Sequence, residues 1–235
     1  PVGLPYITPK FSLYVLAAAA MQIVATVMMV KLFKMRNFAV GAGLAKSEAM
    51  MAAILGVVFF GTYLSWVGWL GVLLGAVAVF IMSSGQKLKQ ISTSTVLLGL
   101  ACGAAFALTS LWVRQASLSL DLPFPHSAAW VLLFVIAIQT LVLVIYAYAV
   151  DRSTIDNLLK RPKLTVMTSV TSCLGSIGWF SAMSLQSVPY VKTLGQIEVF
   201  FTLLIAAFWL KERVKIKDIA ALVMIAMAAI LVMWG

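Results

Sequence analysis

Long uninterrupted apolar runs recur along the whole chain, and each is long enough to cross about 30 Å of hydrocarbon as an α-helix. Charged or turn-forming residues separate about eight such runs. The runs cover approximately residues 11–31, 38–60, 64–83, 94–115, 126–150, 163–184, 188–210 and 216–234. The strands of a transmembrane β-barrel would instead alternate polar and apolar residues over about ten positions. The sequence therefore predicts an all-α, polytopic membrane helix bundle.

Composition and charge agree with a membrane location. Hydrophobic residues make up 63% of the chain and charged residues 10%, whereas a soluble domain carries about 25% charge. The formal net charge is +10, but the basic residues lie in short loops and form no stripe interleaved with aromatic residues, which argues against nucleic-acid binding. Cys102 and Cys173 lie inside apolar runs without metal-ligand spacing, so no metal or cofactor is expected.

The distribution of lysine and arginine predicts the orientation of the bundle. Most of these residues lie in four loops that all fall on one side, around residues 31–37, 84–93, 151–163 and 211–217. Positive residues in short loops are retained on the cytoplasmic side. We therefore expect these loops to be cytoplasmic and both ends of this chain to be non-cytoplasmic.

A shift of 150 residues lays the first three runs onto the last three without a gap, and it places Glu48 on Glu198. Five spans separate the two copies, so they would cross the membrane in opposite directions, as the inverted repeats of secondary transporters do. The chain begins at Pro1 rather than methionine. We therefore expect a ten-helix parent, with residues 1–90 as a partial first half that lacks two helices and residues 91–235 as a five-helix second half.

Several segments carry a resemblance to a known family. They are residues 195–201 (GQIEVFF), 209–214 (WLKERV), 99–117 and 178–183. Together they resemble the EamA-like members of the drug/metabolite transporter superfamily, most clearly from about residue 94 onward. The first half departs from that pattern, because residues 61–63 (GTY) replace the Glu-Arg turn.

The resemblance implies a carrier for small metabolites in the cell membrane, specifically the inner membrane of a bacterium. It also implies that the protein has no enzymatic activity. Its solute would be an amino acid, an amine or a drug-like compound, and the net direction would be export. Three alternatives stay open: a channel, an intramembrane enzyme and a non-transporting interaction protein. No filter-like loop or ring of like charges favours a channel, and the lone His126 has no catalytic partner in the sequence.

Ionisable residues within the apolar runs are the candidate solute-binding groups, because a charge near mid-bilayer costs about 2.5 to 3.5 kcal/mol on insertion scales. They are Glu48, Glu198, Lys192 and Lys46, with Gln196 on the same helical face as Lys192. The carboxylates could bind an amine-bearing solute or take up a proton as the coupling ion. In a purely structural alternative, Glu48 and Lys46, or Glu198 and Lys192, interact with neighbouring helices and serve packing alone.

Two aromatic residues complete the predicted site, and two glycines predict close helix packing. Trp179 and Tyr190 could line a cavity between the halves, although aromatic residues in helical proteins often serve packing alone.

Gly71 and Gly75 are four residues apart, a spacing that lets helix backbones approach each other. The expected partners are the solute, protons, the lipid bilayer and a second copy of the chain in a homodimer.

Overall fold

A computed structural model describes residues 5–34, 47–83, 93–198, 200–201, 204, 208 and 216–234. The elements in these segments are α1 Pro9–Phe33, α2 Glu48–Phe60, α3 Trp66–Ser83, α4 Thr93–Ser119, α5 His126–Val150, α6 Arg152–Lys160, α7 Pro162–Leu185, α8 Val188–Gly195 and α9 Ile216–Trp234. The described segments contain no strand. The predicted all-α class is therefore confirmed.

Most predicted runs coincide with observed helices. Helices α5 and α9 have the bounds predicted from the sequence, and α1, α3, α4 and α7 differ by a few residues at their ends. Helices α1, α4 and α5 are long and apolar enough to span a membrane, and shorter apolar helices lie at Glu48–Phe60, Trp66–Ala78 and Ile219–Trp234. Part of the second run, residues 38–46, lies outside the described residues.

Helix α5 shows why these elements need lipid around them. Its first three turns bury a stripe of residues against the protein: Ser127, Ala128, Val131, Leu132 and Val135. Its second half exposes large apolar side chains, including Leu141, Ile145 and Tyr148, each more than half exposed. An apolar surface of this extent is unfavourable in water and suits contact with hydrocarbon.

Helix α8 is shorter than the sequence predicts. The seventh apolar run suggests one continuous helix over residues 188–210, but α8 ends at Gly195 and a turn follows at Gln196 and Ile197. The amide of Gln196 donates to the carbonyl oxygen of Thr193 at 3.2 Å, and that of Ile197 donates to Leu194 at 3.1 Å. These bonds span three residues rather than four, so the backbone tightens and the α-helix is interrupted.

The chain forms two compact units. The first consists of Pro1–Ile23 and Trp112–Leu185, and the second consists of Val24–Leu111 and Gln186–Gly235. Helices α1 and α4 each contribute to both. The predicted halves, 1–90 and 91–235, follow chain order instead and stay a prediction about the repeat.

In the first unit, α5 packs against α7, and α6 contacts both of them. Aromatic pairs add to this packing. The rings of Phe11 and Phe134 lie 5.6 Å apart edge to face, and those of Tyr14 and Trp112 stack at 5.5 Å. Such pairs favour these offset or perpendicular arrangements because the ring faces and edges carry opposite partial charges.

In the second unit, α3 packs along α9, and α8 contacts α2, α3 and α9. A Cβ atom built on Gly71 would lie 2.8 Å from the carbonyl oxygen of Ala228 and 3.0 Å from the backbone nitrogen of Val232. Only a residue without a side chain allows backbones to come this close. The predicted packing role of this glycine pair is confirmed at Gly71.

Candidate functional site

The candidate site contains an ion pair between two of the residues predicted from the sequence. Lys192 Nζ lies 2.6 Å from Glu48 Oε1, and the two side chains are 11% and 19% exposed respectively. Both residues belong to the second unit. The structural alternative from the sequence placed these residues against neighbouring helices but did not specify the two as partners.

The local sequence explains how both charges reach this position. Glu48 is the first residue of α2, where the unpaired backbone N–H groups and the helix dipole favour a carboxylate. Helix α8 begins with Val188 and Pro189, both buried. Val188 packs in an apolar cluster with Ala52 of α2. The start of α8 is thus fixed against α2, and Lys192 follows one turn later.

A hydroxyl group from helix α4 contacts the same carboxylate oxygen of Glu48. Ser110 is 3% exposed, and its hydroxyl donates to the carbonyl oxygen of Phe106 at 3.0 Å and lies 3.4 Å from Glu48 Oε1. The longer contact is the weaker one, since a hydroxyl has a single hydrogen and its bonds to oxygen are usually under 3.0 Å. No sequence pattern pointed to Ser110, because a serine that bonds the preceding helical turn is common in any helix.

Gln196 lies at the interruption after α8 and is 5% exposed. Neither its amide nitrogen nor its amide oxygen has a hydrogen-bond partner within the part of the chain that the structure describes. The hydroxyl of Thr193, which is fully buried, is also without a partner there. A buried polar group left unsatisfied costs about 1 to 3 kcal/mol. A bound polar solute or a water molecule would recover this cost.

Gly75 of α3 faces the side chain of Gln196. A Cβ atom at this position would overlap with Gln196 Oε1, and it would lie 3.4 Å from the Cβ of Ala228. Glycine therefore makes the room that the glutamine amide occupies. This contact links the α3 and α9 packing to the interrupted end of α8.

The remaining predicted site residues have different surroundings. Tyr190 is half-buried and packs against an apolar cluster of the second unit that includes Ala53 and Val72. Trp179 is half-buried on α7, in the first unit. Glu198 lies two residues beyond Gln196 and is exposed. Lys46 lies outside the described residues.

Arg114 is a half-buried cation on α4 that was not among the predicted site residues. Its Nη1 atom donates to the carbonyl oxygen of Met183 at 2.8 Å, near the end of α7 in the first unit. The last carbonyl groups of a helix lack intrahelical partners and carry partial negative charge. Arg114 therefore stabilises the end of α7.

Comparison with known proteins identifies the family. No curated protein matches the chain with significant similarity. The model of the EamA-like transporter family matches residues 93–234, which run from the start of α4 to the end of α9 and include Lys192 and Gln196. Because this match covers more than half of the chain, the protein belongs to the EamA-like transporter family, as its sequence motifs suggested.

Proposed function

We propose that this chain is a secondary transporter that moves a small amine-bearing solute by alternating access, in the direction of export. Membership of the family already implies a membrane transporter of small solutes. The proposal adds the class of solute, the mechanism and the residues involved. The solute would be an amino acid, an amine or a drug-like cation.

One observation carries the proposal: the ion pair between Glu48 and Lys192 stands next to the interruption of α8. Ionisable residues inside membrane bundles are costly, and they mark solute or proton pathways. In secondary transporters, discontinuous helices supply the backbone and side-chain groups that bind solutes near mid-membrane. Here Lys192, one member of the charged pair, lies in the eight-residue helix Val188–Gly195 that ends at the interruption, and Glu48 reaches it from α2.

The ion pair suggests how solute and proton would be coupled. In the described arrangement, Lys192 neutralises Glu48. A solute ammonium group that replaced Lys192 would keep the carboxylate charged and paired, whereas a proton on Glu48 would remove the charge and release the solute. Solute and proton would therefore compete for one carboxylate, which is the requirement for exchange of one against the other.

Gln196 would orient the solute. Its amide offers two donors and an acceptor, and none of them is used by the described residues. A solute bound beside α8 could accept and donate hydrogen bonds there. The fully buried hydroxyl of Thr193 could contribute another.

Transport in proteoliposomes tests the proposal. Purified protein is reconstituted, and uptake of a panel of radiolabelled amino acids and amines is measured with and without unlabelled solute inside. A carrier should show saturation and counterflow. We expect Glu48→Gln and Lys192→Met to lose most of the flux, while Asp121→Asn, which alters an exposed loop carboxylate, should behave as wild type.

Three results would contradict this function. Flux that rises linearly with solute concentration and shows no counterflow would favour a channel. Normal counterflow in Glu48→Gln at every pH would remove that carboxylate from the mechanism. A well-folded protein that moves no member of the panel would favour the non-transporting alternative.

A further inference from the structure

Helix α6 lies where the chain leaves a membrane span. It begins two residues after Val150, the end of α5, and it ends two residues before α7 begins at Pro162. Since α5 is long and apolar enough to cross a bilayer, a helix that follows it directly lies close to the boundary between hydrocarbon and headgroups. The nine residues of α6 are too few and too polar to cross it.

The two sides of α6 differ in chemistry. Ile155, Leu158 and Leu159 share one side, because positions three and four apart lie together on a helix. Leu158 is 50% exposed and Leu159 is 73% exposed. The opposite side carries Asn157 and Ser153, both exposed. Helices with one apolar and one charged side lie in the plane of the membrane interface.

Three basic residues cluster at the end of α6. Lys160, Arg161 and Lys163 are all exposed. None of them has an ion-pair partner among the residues that the structure describes. Their positive charge therefore remains available to an external anion.

Hydrogen bonds fix the corner between α6 and α7, where these three basic residues lie. The hydroxyl of Thr165, on α7, lies 3.0 Å from the carbonyl oxygens of both Leu158 and Arg161. The amide of Arg161 donates to the carbonyl oxygen of Leu158 at 3.3 Å. Because the backbone is held at both sides of the corner, the leucines and the basic residues keep a fixed relation to each other.

We propose that α6 and the corner after it form a docking surface for anionic phospholipid. Leu158 and Leu159 enter the boundary of the acyl chains, and Lys160, Arg161 and Lys163 bind the phosphate groups of the headgroups. Charge complementarity supports this partner, because a basic segment beside a span is attracted to an anionic membrane surface. The exposed leucines favour lipid over a soluble anion, since water solvates them poorly. This proposal is independent of the transported solute.

Site-directed labelling of the full chain in vesicles tests the docking surface. Leu159→Cys is made in a Cys173→Ser background, with the buried Cys102 retained. The protein is reconstituted in phosphatidylcholine alone or with phosphatidylglycerol, and an uncharged, water-soluble maleimide is added. We expect labelling at position 159 to slow several-fold when phosphatidylglycerol is present. Asn157→Cys, on the polar side of α6, is the matched control and should label at the same rate in both membranes.

The charges are tested in two ways. High salt should restore fast labelling of Leu159→Cys in the anionic vesicles, because it screens exposed charges. Replacing Lys160, Arg161 and Lys163 with glutamine should have the same effect. The control replaces Lys31 and Lys34, which are exposed at the end of α1, and should leave the slow labelling unchanged.

Three results would overturn the proposal. One is equal labelling of position 159 in both membranes. Another is an equal effect of the Lys31 and Lys34 replacements, which would indicate a general surface charge instead of a docking surface. The third is protection of position 159 by inorganic phosphate in detergent without lipid, which would indicate a site for a free anion.

Discussion

The ion pair between Glu48 and Lys192 allows a prediction of stability that can be worked from its geometry. At 2.6 Å and an effective dielectric constant of about 20, Coulomb's law gives an attraction of roughly 6 kcal/mol. Removal of both charges from water offsets much of this, at several kcal/mol per ion. Both side chains are less than one fifth exposed, so solvent screens the pair little. We therefore expect a modest net contribution from the intact pair and a large penalty for breaking it.

Three variants separate these effects. Glu48→Gln removes the carboxylate charge from the pair, and Lys192→Met removes the ammonium charge. We expect each to lower the free energy of unfolding by about 3 to 5 kcal/mol, the usual cost of breaking a buried ion pair by removing one partner. The double variant removes both charges, so its destabilisation should be smaller than the sum of the two single effects by about 3 kcal/mol or more.

The assay is denaturation of the detergent-solubilised protein by increasing SDS, followed by circular dichroism, for wild type and the three variants. Asp121→Asn removes an exposed carboxylate and serves as the control, for which we expect a change within about 0.5 kcal/mol. If the effects of Glu48→Gln and Lys192→Met add to within about 0.5 kcal/mol, the two charges do not interact. The reasoning from the observed ion pair would then be refuted.

Three further predictions concern the glycines packed against α9 and Gln196, the glycine that ends α2, and the start of α6. Gly71→Ala should destabilise the protein by about 1 to 3 kcal/mol, because the added Cβ meets backbone atoms of α9. Gly75→Ala should destabilise it less, because the added Cβ meets the flexible amide of Gln196. SDS denaturation compares the two variants. Gly61→Ala should cost about 1 kcal/mol in the same assay, because Gly61 ends α2 with a φ of +62°. Hydrogen bonds from the hydroxyls of Ser153 and Thr154 hold the pKa of Asp151 below its ordinary value of 3.8. The stabilisation from these hydrogen bonds is therefore fully present above pH 3.8, and it is lost as the pH falls through the lowered pKa of Asp151. Hydrogen exchange of α6, corrected for intrinsic rates, should show this loss of protection in wild type and not in Asp151→Ala.

The apolar runs predicted most of the helices because burial in lipid requires long stretches without charge. The bounds of α5 match the prediction, since Pro125 and Asp151 interrupt the apolar run at both ends. Hydropathy could not predict α6, because its nine residues are polar overall and only their spacing separates two sides. It also missed the end of α8, because Gly195 and Gln196 lie within a run that is apolar on average.

The sequence selected two side chains that form an ion pair, but it did not predict that they are partners. Glu48 and Lys192 were selected because charges in apolar runs are costly, and both occur in the observed ion pair. Their contact joins residues 144 positions apart, and nothing in a single sequence gives the packing of α8 against α2. Ser110 was missed for the same reason, since its contact with Glu48 depends on where α4 lies.

The two glutamates matched by the 150-residue shift have different environments, and this difference bears on the mechanism. Glu48 is 19% exposed and neutralised by Lys192, whereas Glu198 is exposed beyond the interruption of α8. A repeat relates the paths of two backbones and does not require equal chemistry at matched positions. A carboxylate that must exchange a counterion for a solute or a proton benefits from burial, because burial strengthens its electrostatic interactions. Glu48 meets that condition in the described arrangement, so we propose that the coupling step uses Glu48 rather than a symmetric pair of glutamates.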